Sequence, residues 1–129
     1  MYMEEELDTG DIISRETIKI KEKDTVGVLH DKLAEVGADL LVKSLINVKK
    51  GNADRKSQDD SLASYATKLD KEFGKIDWSQ TAIEIYNLVR GVNPWPGAYT
   101  YLKDDLLKVW WVKIIDKNKK ENEPGTIIS

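Results

Sequence analysis

The sequence predicts an α/β chain in three parts: residues 1–50, a linker at 51–64, and a helix-then-strand region at 65–129. Three observations carry that expectation. Val26, Leu29, Leu33, Val36 and Leu40 recur at spacings of three and four, and Leu41, Leu45 and Val48 continue the apolar face, so a helix spans about 25–49. From Gly51 to Leu62 the residues are polar and unpatterned, as in a connector. The stretch Arg90-Gly91-Val92-Asn93-Pro94-Trp95-Pro96-Gly97-Ala98-Tyr99-Thr100 then forbids a helix, because each proline fixes φ and removes a backbone donor. It reads as an elbow between an amphipathic helix and strands.

Taken in order, Tyr2-Met3 is a stub of strand that enters a polar loop, Leu7-Asp8-Thr9-Gly10-Asp11. Two carboxylates, a hydroxyl and a glycine suit a tight turn, and the same turn can aim a carboxylate into a cleft. Residues 12–20 alternate imperfectly through Ile13, Ile18 and Ile20 and read as strand. Asp24 or Thr25 offers the N-cap of the long helix, and Lys49, Lys50 and Gly51 suit its end. His30, the only histidine, sits beside Leu29 with no partner spaced to orient it, and reads as a surface or boundary residue and not a catalyst. Tyr65 to Phe73 suggests a short helix closed by Gly74, and Ile76-Asp77-Trp78 an extended segment, with Ser79 as cap of the following helix. There Ala82, Ile85, Tyr86 and Val89 form one apolar stripe over residues 80–90. Gly91 is placed to end that helix in the left-handed conformation. Ala98 to Leu102 and Leu106 to Ile115 read as strands about a turn at Lys103-Asp104-Asp105. Asp116 to Pro124 reads as a charged loop, and Thr126-Ile127-Ile128 as the start of a further strand.

Composition is that of a soluble globular protein, with 40% hydrophobic and 33% charged residues. No apolar run approaches the roughly 18 residues that a membrane span needs. Met1 to Glu6 is acidic where a secretory signal would be basic, so a cytoplasmic location is expected. The absence of cysteine excludes disulfides and thiolate metal sites. Asp116-Lys117-Asn118 lacks metal-loop spacing, and no metal is expected. The net charge of −3 conceals an asymmetry. Residues 1–31 hold nine acids against four bases, whereas residues 43–75 hold eight bases against five acids. Such bases either form a solvated surface or meet phosphate.

The elbow string resembles that of methionyl-tRNA formyltransferases, and the likeness runs in one order along nearly the whole chain. Leu7-Asp8-Thr9-Gly10-Asp11 is similar to the loop that carries the family's catalytic aspartate. Asp24-Thr25 with the long helix resembles the last crossover unit of the formyltransferase core. Tyr65 to Glu72 and Ile76-Asp77-Trp78 look like the entry to the C-terminal domain, and Asn93 to Thr100, Leu107 to Trp110 and Pro124 to Ile127 like its first strands. Glu6 departs from the glycine usual at that place in the family.

The resemblance implies that residues 1–50 are the C-terminal part of a Rossmann-like formyltransferase core, and that residues 65–129 are the first half of a small OB-like β-barrel that binds tRNA. It implies formyl transfer from 10-formyltetrahydrofolate to the amine of methionine on initiator tRNA, with Asp8 as the catalytic aspartate. In the family an upstream Asn-x-His sits at the developing oxyanion, and the aspartate orients or charges the histidine and helps move the amine's proton. Lys68 and Lys71 match a Lys-Leu-x-Lys-Glu segment near the acceptor end of tRNA, and Lys49, Lys50, Arg55 and Lys56 are candidates for further phosphate contacts. Neither Asn-x-His nor the Ser-Leu-Leu-Pro run that follows it occurs here, so the resemblance implies the middle of a longer enzyme, without the folate-site residues and inactive alone. Two other readings stand beside it: a relative acting on the amino group of a nucleotide sugar or otherwise using formyltetrahydrofolate, and a non-catalytic module that binds RNA or a partner.

Overall fold

A computed structural model describes residues 1–115 and 123–127. Two compact units divide the chain, one of residues 1–20 and 30–67 and the other of residues 21–29 and 68–129.

In the first unit the dominant element is helix α1, Val26–Lys49, whose first turn belongs to the second unit. Between the two candidates for its N-cap, Thr25 takes the role: its hydroxyl accepts the Val28 N–H at 3.3 Å. Asp24 instead closes the preceding turn by accepting the Lys21 N–H at 2.8 Å. The far end is a Schellman motif. Gly51, at φ +70°, donates to the Val48 carbonyl, and Asn52 donates to the Asn47 carbonyl at 2.9 Å. The Ser44 hydroxyl bonds back to the Leu40 carbonyl at 2.7 Å and meets the Ser14 hydroxyl at 2.6 Å, which holds the segment after the Asp8 loop against α1.

No residue of α1 is buried. Leu33, Leu41, Val42, Leu45 and Ile46 are each about half exposed or more, and Met1, Ile13, Leu40, Leu41, Leu45 and Val48 line an open apolar hollow. Residues 12–20 do not form the expected strand. Ile12 pairs in an isolated antiparallel bridge with Lys56, and the rest finds no ladder partner among the described residues, without which a strand has nothing to satisfy its amides. Tyr2-Met3 likewise makes no strand, although Tyr2 N–H donates to the Asp11 carbonyl at 2.9 Å.

The second unit is built around helix α2, Ala82–Gly91, and a two-stranded antiparallel ribbon of β1, Ala98–Leu102, and β2, Asp105–Val109. Its core is Ile76, Val89, Val92 and Ala98, flanked by Ile85, Leu88, Val109 and Val112. Thr81, not Ser79, caps α2. Its hydroxyl accepts the Glu84 N–H while the Glu84 carboxylate takes the Thr81 amide at 2.9 Å and hydroxyl at 2.6 Å. Those bonds, hydroxyl first, hold the Glu84 carboxyl below its ordinary pKa. Ser79 is spent on Asp77, whose carboxyl its hydroxyl and amide lower in the same way.

Gly91 stays helical, and Val92, at φ −111°, ends the helix while its amide donates to the Leu88 carbonyl. The left-handed corner falls instead at Gly97, φ +85°, which donates to the Val92 carbonyl at 2.9 Å. Both elbow prolines follow cis peptide bonds. The expected helix over Tyr65–Phe73 reduces to a single 3₁₀ turn, Glu72–Gly74, started by the Asp70 carboxylate accepting the Phe73 N–H at 3.1 Å. Tyr65 is fully exposed, so the segment has no packing face to offset helix nucleation.

Strand β2 begins one residue before the expected start and stops at Val109, well short of Ile115. Beyond Val109 the partner strand has already turned into the elbow, and the Asn93 side-chain amide takes over by donating to the Trp110 carbonyl at 2.8 Å. Lys103, at φ 55°, makes the ribbon's tight turn. Glu123 to Thr126 is a β-turn with Gly125 at φ +82°, so Thr126 and Ile127 are not strand. The charged loop expected from Asp116, the triplet Asp116-Lys117-Asn118, and Ile128 lie outside the described residues. The described strands form the two-stranded ribbon alone, and they do not close a barrel.

An apolar helix face this exposed drives association. By itself the chain is expected to run above monomer mass in sizing, or to unfold without a cooperative transition. A monomer with one sharp calorimetric transition would contradict this.

Candidate functional site

The loop at residues 2–11 is folded back on itself by its own main chain. Gly10 is buried directly beneath the Tyr2 carbonyl, where any Cβ would collide with that oxygen. The Thr9 hydroxyl donates to the Glu6 carbonyl at 3.1 Å and closes the turn around Asp8. Only the backbone of Glu6 is used there, and its φ is not positive, so its backbone conformation does not call for the glycine usual at that place. Asp8 has φ 59°, the left-handed region that Asp tolerates better than most residues. Its side chain is exposed, so the loop presents a carboxylate on its outer side.

Residues 55–58 lie along this loop as a strap. Ile12 and Lys56 exchange both backbone hydrogen bonds, at 2.8 and 3.1 Å. Arg55 Nε lies 3.3 Å from Asp11 Oδ2, and its guanidinium stacks 4.2 Å from the centre of the Tyr2 ring. The Ser57 hydroxyl donates to Asp11 Oδ1 at 3.0 Å. Gln58 Nε2 donates to the carbonyls of Asp8 and Gly10, each at 2.8 Å, using both of its hydrogens. Asp11 is therefore a fastening point of the loop. Arg55, a candidate for phosphate contact by charge, is engaged inside the unit.

Of the sequence-predicted site residues, Asp8 lies in the first unit, and Lys68 and Lys71 lie in the second. Both lysines are exposed, Lys71 immediately before the Glu72–Gly74 turn. His30 is a surface residue, its ring nitrogen 3.4 Å from the neighbouring Asp31. Among the described residues no three of His, Cys, Asp and Glu gather as a metal-holding group. No helix among them is long and apolar enough to cross a membrane. The strap was invisible in the sequence. Residues 55–58 carry no periodicity, and a side chain that bonds two carbonyls 48 and 50 positions away leaves no local signal.

The chain belongs to the formyl transferase family. Residues 1–45 match the family described as formyl transferase, and residues 68–129 match its C-terminal domain. The individual relatives are more specific. The chain is 53% identical, over its full length, to a protein of Halothermothrix orenii named methionyl-tRNA formyltransferase. It is 48% identical over 99% of its length to the one of that name from Clostridioides difficile, and 44% identical over its full length to that of Ruminiclostridium cellulolyticum. It spans about two fifths of each relative, 42%, 41% and 42% respectively.

Gly10→Ala is expected to push the Tyr2 segment off the loop. Faster amide exchange at Tyr2, whose N–H bonds to the Asp11 carbonyl, would report it, and unchanged exchange would count against the packing described.

Proposed function

We propose that the protein acts in the transfer of a formyl group from 10-formyltetrahydrofolate to the amine of methionyl initiator tRNA. The observation that carries this reading is similarity over 99–100% of this chain, at 44–53% identity, to relatives named methionyl-tRNA formyltransferase. Those names favour the tRNA substrate over a nucleotide amino sugar. The match of residues 1–45 to the formyl transferase family favours catalysis over a module that only binds.

In this reading residues 1–50 complete a Rossmann-like core, 51–64 link it onward, and 65–129 begin an OB-like barrel that holds tRNA. The amine nitrogen attacks the formyl carbon, and the bond from that carbon to the folate nitrogen breaks. The proton lost by the amine ends on the folate nitrogen. Asp8 orients and charges an imidazole supplied from outside this chain, since an adjacent carboxylate raises an imidazole's pKa and favours its cationic form. Lys68 and Lys71, both exposed, supply charge for the tRNA phosphates.

The test is a chimera in which this chain replaces the matched segment of the Halothermothrix orenii relative. Asp8→Asn should lower its kcat for formylation by about 10²–10⁴, the range for a proton-handling group. Turnover equal to the parent's would refute the assignment. Lys71→Ala should raise KM for tRNA and flatten its salt dependence while leaving KM for the folate alone. Unchanged tRNA kinetics would remove Lys71 from the interface.

A further inference from the structure

We propose that Gln58 is a positioning residue for this reaction: by bonding the carbonyls of Asp8 and Gly10 at once, it fixes the loop that aims the Asp8 carboxylate. The inference rests on the reading of Asp8 as the catalytic aspartate. Asp8 is one of two non-glycine residues at positive φ among those described, and the other, Lys103, is set by a hairpin turn. Here no hairpin ladder is present to hold the conformation. Besides the local Thr9–Glu6 bond, what holds it from outside the loop is the pair of 2.8 Å bonds from one amide nitrogen, to the carbonyls of the residues on either side of Thr9.

Each neighbouring contact has its own job. Arg55 and Ser57 fasten Asp11, and Lys56 pairs with Ile12, so the strap's backbone is anchored before Gln58 reaches across. Gly10, which admits no side chain, sets the floor. Gln58 is the member of the strap that touches Asp8 itself, through the main chain and not the carboxylate. Its removal therefore leaves the acid in place and loosens its direction. Geometry errors of about 1 Å cost an enzyme up to roughly 10²-fold in rate, and they act on the chemical step more than on binding.

The chemistry of the amide supplies a diagnostic. Gln58→Glu keeps the size and shape but puts acceptor oxygens against two acceptor carbonyls. When the introduced carboxyl is protonated it regains one donor, and the facing carbonyls favour that protonated form. In the chimera, Gln58→Glu and Gln58→Ala should each lower kcat about tenfold near neutral pH, with KM for both substrates unchanged. The ratio of the Gln58→Glu rate to the parent rate should climb as pH falls from 8 towards 5, on the order of the acid limb of a carboxyl group, and Gln58→Ala should show no such climb. If both variants turn over like the parent while Asp8→Asn is slowed, the clamp is refuted and the role of Asp8 stands. If Asp8→Asn itself turns over like the parent, both readings fall. A rate loss accompanied by raised KM and no recovery in acid would also refute it, since that pattern belongs to general loosening of the fold.

Discussion

Backbone groups outside regular structure must still find partners, and this requirement shapes both units. Around Asp8 the chain has neither helix nor ladder, so the carbonyls of Asp8 and Gly10 are met by the Gln58 side chain and the Ile12 amide by the Lys56 carbonyl. At the elbow two prolines contribute no donors at all. There Asn93 does the work twice: its carbonyl accepts from Gly27 at 3.0 Å and its side-chain amide donates to Trp110. The same glycine lies against the Pro94 ring, where a Cβ would crowd Cδ, so close approach and hydrogen bonding are specified together. The loop and the elbow are thus irregular in shape, and each is held by a few bonds to distant partners.

That distinction explains what could be read from the residues alone. Helix α1, helix α2, the elbow and strand β1 announced themselves through periodicity or through proline, because both signals are local. The Asp8 loop was legible by its resemblance and its turn chemistry. What stayed hidden depends on distant partners. Among the described residues, 12–20 have strand-like alternation and no strand to join, and Tyr65–Phe73 has helix-forming residues and no surface to pack upon. Cap identity was a contest between near neighbours. Ser79 and Thr81 are equally able as types, and the matching Glu84 three residues after Thr81 decided between them. The strap over the Asp8 loop belongs to the same class, since its bonds join positions about fifty apart.

In the proposed reading, the family's chemistry and the architecture described meet at the exposed Asp8 carboxylate. Asp8 sits in the left-handed region with its own carbonyl and that of Gly10 bonded to one amide, so the loop's direction is set without a surrounding helix or sheet. Charge is distributed to match. Arg55 is consumed in fastening the loop of the first unit, whereas Lys68 and Lys71 are exposed cations at the start of the second unit's main segment. Lysine is a compact, strongly hydrated point charge that suits phosphate attraction without fixed geometry, whereas the planar guanidinium suits a stacked and bonded role.

The ribbon carries one more implication. Strand β1 is flanked on one side by β2 and on the other by the Lys75 bridge to Tyr99, with Ile76 N–H bonded to the Tyr99 carbonyl at 2.8 Å. Strand β2 has β1 as its sole partner among the described residues, so its outer rim is a row of amides and carbonyls facing outward beside Leu106 and Leu107, both about half exposed. Recognition at such a rim is written in main-chain spacing and is almost blind to side-chain identity. Growth of the sheet in that direction therefore demands only an extended segment of matching length, with Asp105 and Lys108 as the charges that restrain indiscriminate pairing.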